Sequence, residues 1–207
     1  LLQLRSLLSS SSTDKVRKGL ELMQEKELTL NDIIECSHQD YLSLYKWLSA
    51  NHFIPDRYST KTSLPNLFAD LSIKMAVIHS ITELNLTPSH GFNASVNSLH
   101  QNIGLCRSLK KITMKKINAM GLPASLANLS KLTYLNLAKN NLRLLPSAVT
   151  KLPNLSQLDL SENPIRKITK SIGNMTNLKK LNLKGSNIDK NDRENIKALL
   201  PQCKISF

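Results

Sequence analysis

A 23-residue period governs the second half of this 207-residue chain. The stretch "LTYLNLAKNNLRLLPSAVTKLPN", residues 132–154, sets Leu132, Leu135, Leu137, Asn140, Leu142, Leu145, Val149 and Leu152 at uneven intervals. A helix repeats near 3.6 residues and a strand near 2, so neither alone carries that rhythm. The next stretch, residues 155–177, lays Leu155, Leu158, Leu160, Asn163, Ile165, Ile168, Ile172 and Met175 on the same template. Leu109, Ile112, Met114, Ala119, Leu122, Leu126 and Leu129 fit it before, and Leu178, Leu181, Leu183 and Ile188 fit it after. Self-similarity at such a period means a solenoid, in which each coil covers the apolar face of the next.

The spacing L-x-x-L-x-L-x-x-N-x-L over residues 109–207 resembles that of the leucine-rich repeat family, in its 23-residue form. The ending "LLPQCKISF" is similar to that of short bacterial members, which implies that Phe207 is the natural terminus. The resemblance implies an α/β solenoid: a curved horseshoe segment with a parallel concave sheet, preceded by an α-helical capping region. It also implies a non-enzymatic module that binds a protein partner through the concave face.

Spacing alone extends the array. Leu99, Ile103, Cys106 and Leu109 repeat the four-three-three interval of Leu122, Leu126, Leu129 and Leu132, as do Leu71, Met75, Ile78 and Ile81. Strands are expected near 81–87, 109–116, 132–139, 155–162, 178–185 and 200–206, with the first coil swollen by "TPSHGFNASVNS". Asn191 with Glu194 reads as a capping box opening a short helix that turns Ile196 and Leu199 inward. The turn asparagine is present at Asn140 and Asn163, but Ile117 and Ser186 occupy its place in the neighbouring coils, so distorted turns are expected there.

Residues 1–70 obey a helical rule and 71–207 the repeat rule. Val16, Leu20 and Met23 share a helical face, as do Tyr41, Leu44, Tyr45 and Leu48. Thr13, Thr29 and Ser63 are candidate helix starts, with Pro55 and Pro65 as punctuation. An open solenoid exposes the core of its first coil, so this segment is expected to act as a cap. "LLQLRSLL" is too short and too charged for a membrane span.

The net charge of +13 is unevenly spread. Lys/Arg and Asp/Glu cancel in residues 1–80, so the excess sits on the repeats and favours acidic partners. Side chains alternate across a strand, so residues between the leucines point to the concave sheet. One outward column reads Glu83, Lys111, Tyr134, Gln157, Lys180; the next reads Asn85, Thr113, Asn136, Asp159, Asn182. A third reads Thr87, Lys115, Ala138, Ser161, Lys184. With Lys139 and Glu162 these define the candidate partner-binding face: two basic coils, a neutral stripe at Tyr134 and Asn136, and an acidic patch at Asp159 and Glu162. Loop cations such as Arg143, Lys151, Arg166 and Lys170 read as solvated surface.

Cysteine use points to a reducing compartment. Cys106 and Cys203 fall at inward positions, where a thiol behaves as a small hydrophobe, and Cys36 is left over. No disulfide cluster of the kind that caps extracellular animal repeats occurs. The expected location is the cytoplasm, or a host cytosol reached as a bacterial effector. The N-x-S/T matches at Asn85, Asn93, Asn128, Asn154 and Asn174 read as by-products of the repeat, the last three each preceding a structural leucine or methionine.

No phosphate-binding loop, nucleophile elbow, C-x-x-C pair or H-E-x-x-H helix occurs. His38, His52, His79, His90 and His100 lack metal-ligand spacing; His90 and His100 flank the swollen loop and read as surface residues. No catalytic residue, cofactor, metal or small-molecule substrate is therefore expected. The expected partner is a protein with acidic patches. The alternative is an anionic polymer, nucleic acid or glycan, held by the concave lysines; such binders usually add stacking aromatics, and this face offers only Tyr134.

Overall fold

The computed structural model describes residues 2–26, 37–50, 67–88 and 98–207. The expectations for Thr29, Ser63, Pro55, Pro65, Cys36, His52, His90 and Asn93 lie outside the described residues. Two compact units are present: Leu1–Ile81 with Leu105–Arg107, and Thr82–Gly104 with Ser108–Phe207. The division falls at Ile81, where the repeat spacing had suggested residue 70.

The first unit is helical. Helices α1 (Leu2–Leu8), α2 (Thr13–Glu25), α3 (His38–Ala50) and α4 (Leu67–Ser80) lie in it. The α2 helix packs on α1 and α4, and α3 packs on α4. Thr13 does open α2, and the expected faces close the core: Val16, Leu20, Met23, Tyr41, Leu44, Tyr45 and Leu48 are all buried. Ser37 and Asp40 cap α3 reciprocally, with Asp40 Oδ2 accepting the Ser37 N–H at 2.7 Å and Ser37 Oγ accepting the Asp40 N–H at 3.2 Å. Met75 and Ile78 are buried in α4, a full α-helix where the repeat spacing had suggested the convex side of a coil.

The second unit is a solenoid. Six three-residue strands, β1 (Glu83–Asn85), β2 (Lys111–Thr113), β3 (Tyr134–Asn136), β4 (Gln157–Asp159), β5 (Lys180–Asn182) and β6 (Lys204–Ser206), form one parallel sheet in chain order. Each lies within its expected segment. Leu84, Ile112, Leu135, Leu158, Leu181 and Ile205 are in register, so identical template positions stack into one inward ladder. The chain returns on the convex side through 3-10 turns at Ala124–Asn128, Val149–Lys151 and Lys170–Asn174. Each ends with the N–H of the following apolar residue, Leu129, Leu152 or Met175, donating back three residues. Tight turns suit a 23-residue coil, which must come back to within one strand spacing of its start.

The buried asparagines lock coil to coil. Asn140 Nδ2 donates to its own turn at Leu137 O (2.9 Å), while its Oδ1 accepts the N–H groups of Ile117 and Ala119 one coil earlier. Asn163 repeats this, donating to Leu160 O and Leu137 O and accepting from the Leu142 N–H. The residue before each takes left-handed backbone, Lys139 at φ 58° and Glu162 at φ 53°. The two departing coils differ as expected. Around Ile117, which turns inward, both Lys116 and Asn118 are left-handed. In the next-to-last coil Gly185 takes the left-handed place, and Ser186 Oγ is buried without a hydrogen-bond partner.

The last helix corrects one expectation. The α5 helix (Lys190–Leu199) is capped by Asp189, whose carboxylate accepts the Asp192 N–H at 2.7 Å. The expected box at Asn191 and Glu194 does not form; Glu194 pairs with Lys197 at 3.0 Å instead. Ile196 is buried as expected, whereas Leu199 stays 36% exposed. Leu199 lies at the margin of that stripe, against Gly173 of the 3-10 turn beside the helix.

Candidate interaction surface

The outward columns exist as expected. Glu83, Lys111, Tyr134, Gln157 and Lys180 stand in register and continue to Lys204. Asn85, Thr113, Asn136, Asp159 and Asn182 stand beside them and continue to Ser206. Lys204 and Ser206 were not singled out from the sequence. The signal was present, since alternation around Cys203 and Ile205 leaves both on the outward phase. Lys115 and Lys184 are exposed, but Ala138 in the same column is buried.

Several of these side chains already have work inside the repeat unit. Asn85, Asn136, Asp159 and Asn182 each accept, through Oδ1, the N–H two residues on, at 2.9–3.2 Å. This closes a small turn at the exit of the strand and spends one acceptor per coil. Asp159 Oδ1 also accepts from Ser161 Oγ at 2.7 Å. Lys111 Nζ lies 3.6 Å from Glu83 and 5.6 Å above the Tyr134 ring, and Asn136 Nδ2 donates to Tyr134 Oη at 3.3 Å. Lys139, in the left-handed turn rather than on a strand, pairs with Glu162 across one coil at 3.0 Å.

The electrostatic pattern changes accordingly. The acidic patch is half neutralised, since Glu162 answers Lys139, and Lys111 answers Glu83. Among the described residues Lys115, Lys180, Lys184 and Lys204 have no ion-pair partner. Three of them, Lys180, Lys184 and Lys204, border a shallow concavity of about 380 Å3 whose floor and walls include Tyr134, Gln157, Asp159 and Asn182. That hollow joins the neutral stripe to the second basic coil. Thr113 and Lys115 lie outside it. Such a surface can hold a carboxylate-bearing loop through charge-assisted hydrogen bonds while Tyr134 supplies a flat apolar contact.

His79 and His100 make local contacts. His79, buried, belongs to the helical unit, where its Nε2 lies 3.0 Å from Tyr41 Oη. His100 Nδ1 accepts the Asn102 N–H at 3.1 Å, a local loop contact. No group of His, Cys, Asp and Glu able to hold a metal occurs among the described residues. Cys106 and Cys203 are free thiols. Among the described residues no helix is long and apolar enough to cross a membrane.

Residues 107–165 match the family model described as leucine rich repeat. Solved structures similar to the chain include a leucine-rich repeat protein of Leptospira interrogans, 26% identical with a TM-score of 0.46 over 64% of this chain. This chain spans only 38% of that one. The SNF/U2A' complex of Drosophila melanogaster contains a chain 19% identical, with a TM-score of 0.46, covering 60% of this chain and 72% of that one. A plant ice-binding protein is 24% identical, with a TM-score of 0.42, covering 54% of this chain and 37% of that one. No curated protein matches the chain. The coils within residues 107–165 are leucine-rich repeats, and the sheet in chain order is that of an α/β solenoid.

Proposed function

We propose that this protein is a non-enzymatic interaction module that binds an acidic protein through its concave sheet. Leucine-rich repeats in general serve as protein-interaction modules, which is the coarse ground for the reading. The observation that carries the finer part is the trio Lys180, Lys184 and Lys204, unpaired around one hollow with Tyr134 and Asn182 at its wall. The helical unit is proposed as the cap that an open array of repeats requires. Charge reversal tests the surface. A chain carrying Lys180→Glu, Lys184→Glu and Lys204→Glu should lose most binding to a protein captured by the unaltered chain, chiefly through slower association. Its thermal midpoint should not move, since all three side chains are exposed. A captured protein held equally by both chains would remove the concave face from the account.

The runner-up is an anionic polymer on the same lysines, favoured by the neutralisation of Glu162 by Lys139. Asp159→Asn separates the two, because it removes the charge and keeps the Oδ1 acceptor that the Ser161 N–H requires. Heparin or single-stranded RNA should then bind more tightly. A protein with a cation facing Asp159 should bind more weakly.

A further inference from the structure

One edge of the repeat unit carries a surface unrelated to the concave columns. The column Met120, Arg143, Arg166, Asp189 runs up the outer turns at the repeat spacing. Met120 is 83% exposed, more than any other large hydrophobic among the described residues. It stands between two concavities. One, of about 510 Å3, it shares with Asn141, Arg143, Pro164 and Arg166; the other, of about 430 Å3, has Leu99, Leu122 and Pro123 in its wall. Leu144 and Lys167 pair as an isolated parallel bridge, which holds the two turns in register and sets Arg143 and Arg166 side by side. Neither guanidinium has an ion-pair or hydrogen-bond partner among the described residues. Asp189, next in the column, is committed to the Asp192 N–H.

We propose that this edge docks an acidic polypeptide segment with an apolar anchor. The anchor sits against Met120, and the carboxylates that follow it meet Arg143 and then Arg166. Neighbouring coils are about 5 Å apart and an extended chain advances about 3.3 Å per residue, so an acidic side chain two to four residues past the anchor meets an arginine. Two observations select a peptide over a nucleic acid or glycan. Beside Met120 the concavities carry apolar wall, Leu99, Leu122 and Pro123 on one side and Pro164 on the other, which an apolar anchor covers and a polyanion does not, while Arg143 and Arg166 in the same lining meet the acidic side chains. A methionine surface also adapts to varied apolar side chains, a contact a polyanion does not use, and the arginine forks then take the carboxylates beside that anchor. The site shares no residue with the concave hollow, so it stands or falls separately from the function proposed above.

A phage-displayed random heptapeptide library panned on the full chain tests the proposal, with fluorescence anisotropy on the selected peptides. The selected sequences should carry Asp or Glu two to four positions after Leu, Ile, Phe or Met. Their affinity should drop about tenfold or more in Met120→Asp and in Arg143→Glu with Arg166→Glu, and less than about twofold in Lys180→Glu with Lys184→Glu. Met120→Ser and the paired Arg143→Gln, Arg166→Gln chain, matched in thermal midpoint to the unaltered chain, should show the same loss, which excludes a folding defect. The proposal is overturned by a library yielding no apolar-acidic pattern, or by selected peptides that bind the edge variants as well as the unaltered chain. Sedimentation showing Met120-dependent self-association would instead assign the edge to a second copy. Heparin held through both arginines regardless of Met120→Asp would assign it to a polyanion.

Discussion

Asn163 illustrates how much of this fold hangs on single polar side chains. It is 1% exposed, and its amide serves Leu160 O, Leu137 O and the Leu142 N–H at once. Asn163→Leu keeps the volume but strands those groups in the core, so it should destabilise by roughly 2–4 kcal/mol in urea unfolding. Ser186 occupies the equivalent place with its Oγ unsatisfied. Ser186→Asn should therefore stabilise, by about 1 kcal/mol; a lowered midpoint would mean that this turn cannot admit the amide. Burial pushes the Cys106 thiol up to about 12, so it is protonated at pH 8 and inaccessible. Mass spectrometry after brief iodoacetamide treatment of the native protein should find Cys106 unmodified, and modified once urea is present.

At the scale of an element, the coil is the unit of stability. Leu160 is fully buried between adjacent coils, and Leu160→Ala should cost roughly 2–5 kcal/mol. An unchanged unfolding curve would contradict the inward register of β4. The convex turns are packed as closely as the strands. Gly104 lies in the 3-10 turn Ile103–Leu105, its N–H reaches Ser125 Oγ at 3.4 Å, and a Cβ there would overlap the Ser125 carbonyl oxygen. That obstacle is backbone, so Gly104→Ala must spread two coils and should cost about 1–3 kcal/mol in the same measurement. Helix α5 depends on its cap, and Asp189→Ala should lower stability by about 1 kcal/mol. Asn191→Ala should not, which distinguishes the observed cap from the one expected from spacing.

For the whole molecule, acid should act first on the helical unit. His79 is lowered from 6.5 to about 4, mainly by burial and secondly by the Arg107 charge, with backbone hydrogen bonding to Leu105 and Leu8 working the other way. The folded state therefore keeps this imidazole neutral while the unfolded chain binds a proton between pH 6.5 and about 4. Stability is fully present above that window and falls as pH drops through it, by on the order of 3 kcal/mol. Trp47, the one tryptophan, lies on α3 and reports this unit. Its fluorescence should show a urea midpoint lower at pH 4.5 than at pH 7, with most of that difference gone in His79→Gln. An equal pH slope in the variant would locate the acid sensitivity elsewhere.

The repeat rhythm alone was enough to set the solenoid, its six strands, their inward ladder and the two outward columns. Stacked coils place like positions together, so a one-dimensional pattern becomes a surface without further folding information. Helical periodicity likewise marked the faces of α2 and α3 that are buried. Spacing does not encode which cations find anions. Lys111 met Glu83, and Lys139 met Glu162, through side-chain reach across coils, and among the described residues that left Lys115, Lys180, Lys184 and Lys204 on the concave face without an ion-pair partner. Nor could it separate α4 from a repeat coil, because Met75, Ile78 and Ile81 satisfy the interval of a helix as well as that of a convex turn. The left-handed turn that carries Lys139, and the bridge from Leu144 to Lys167 that aligns Arg143 with Arg166, depend on backbone conformation and hydrogen bonding between coils. Those were settled only when one coil was laid on the next.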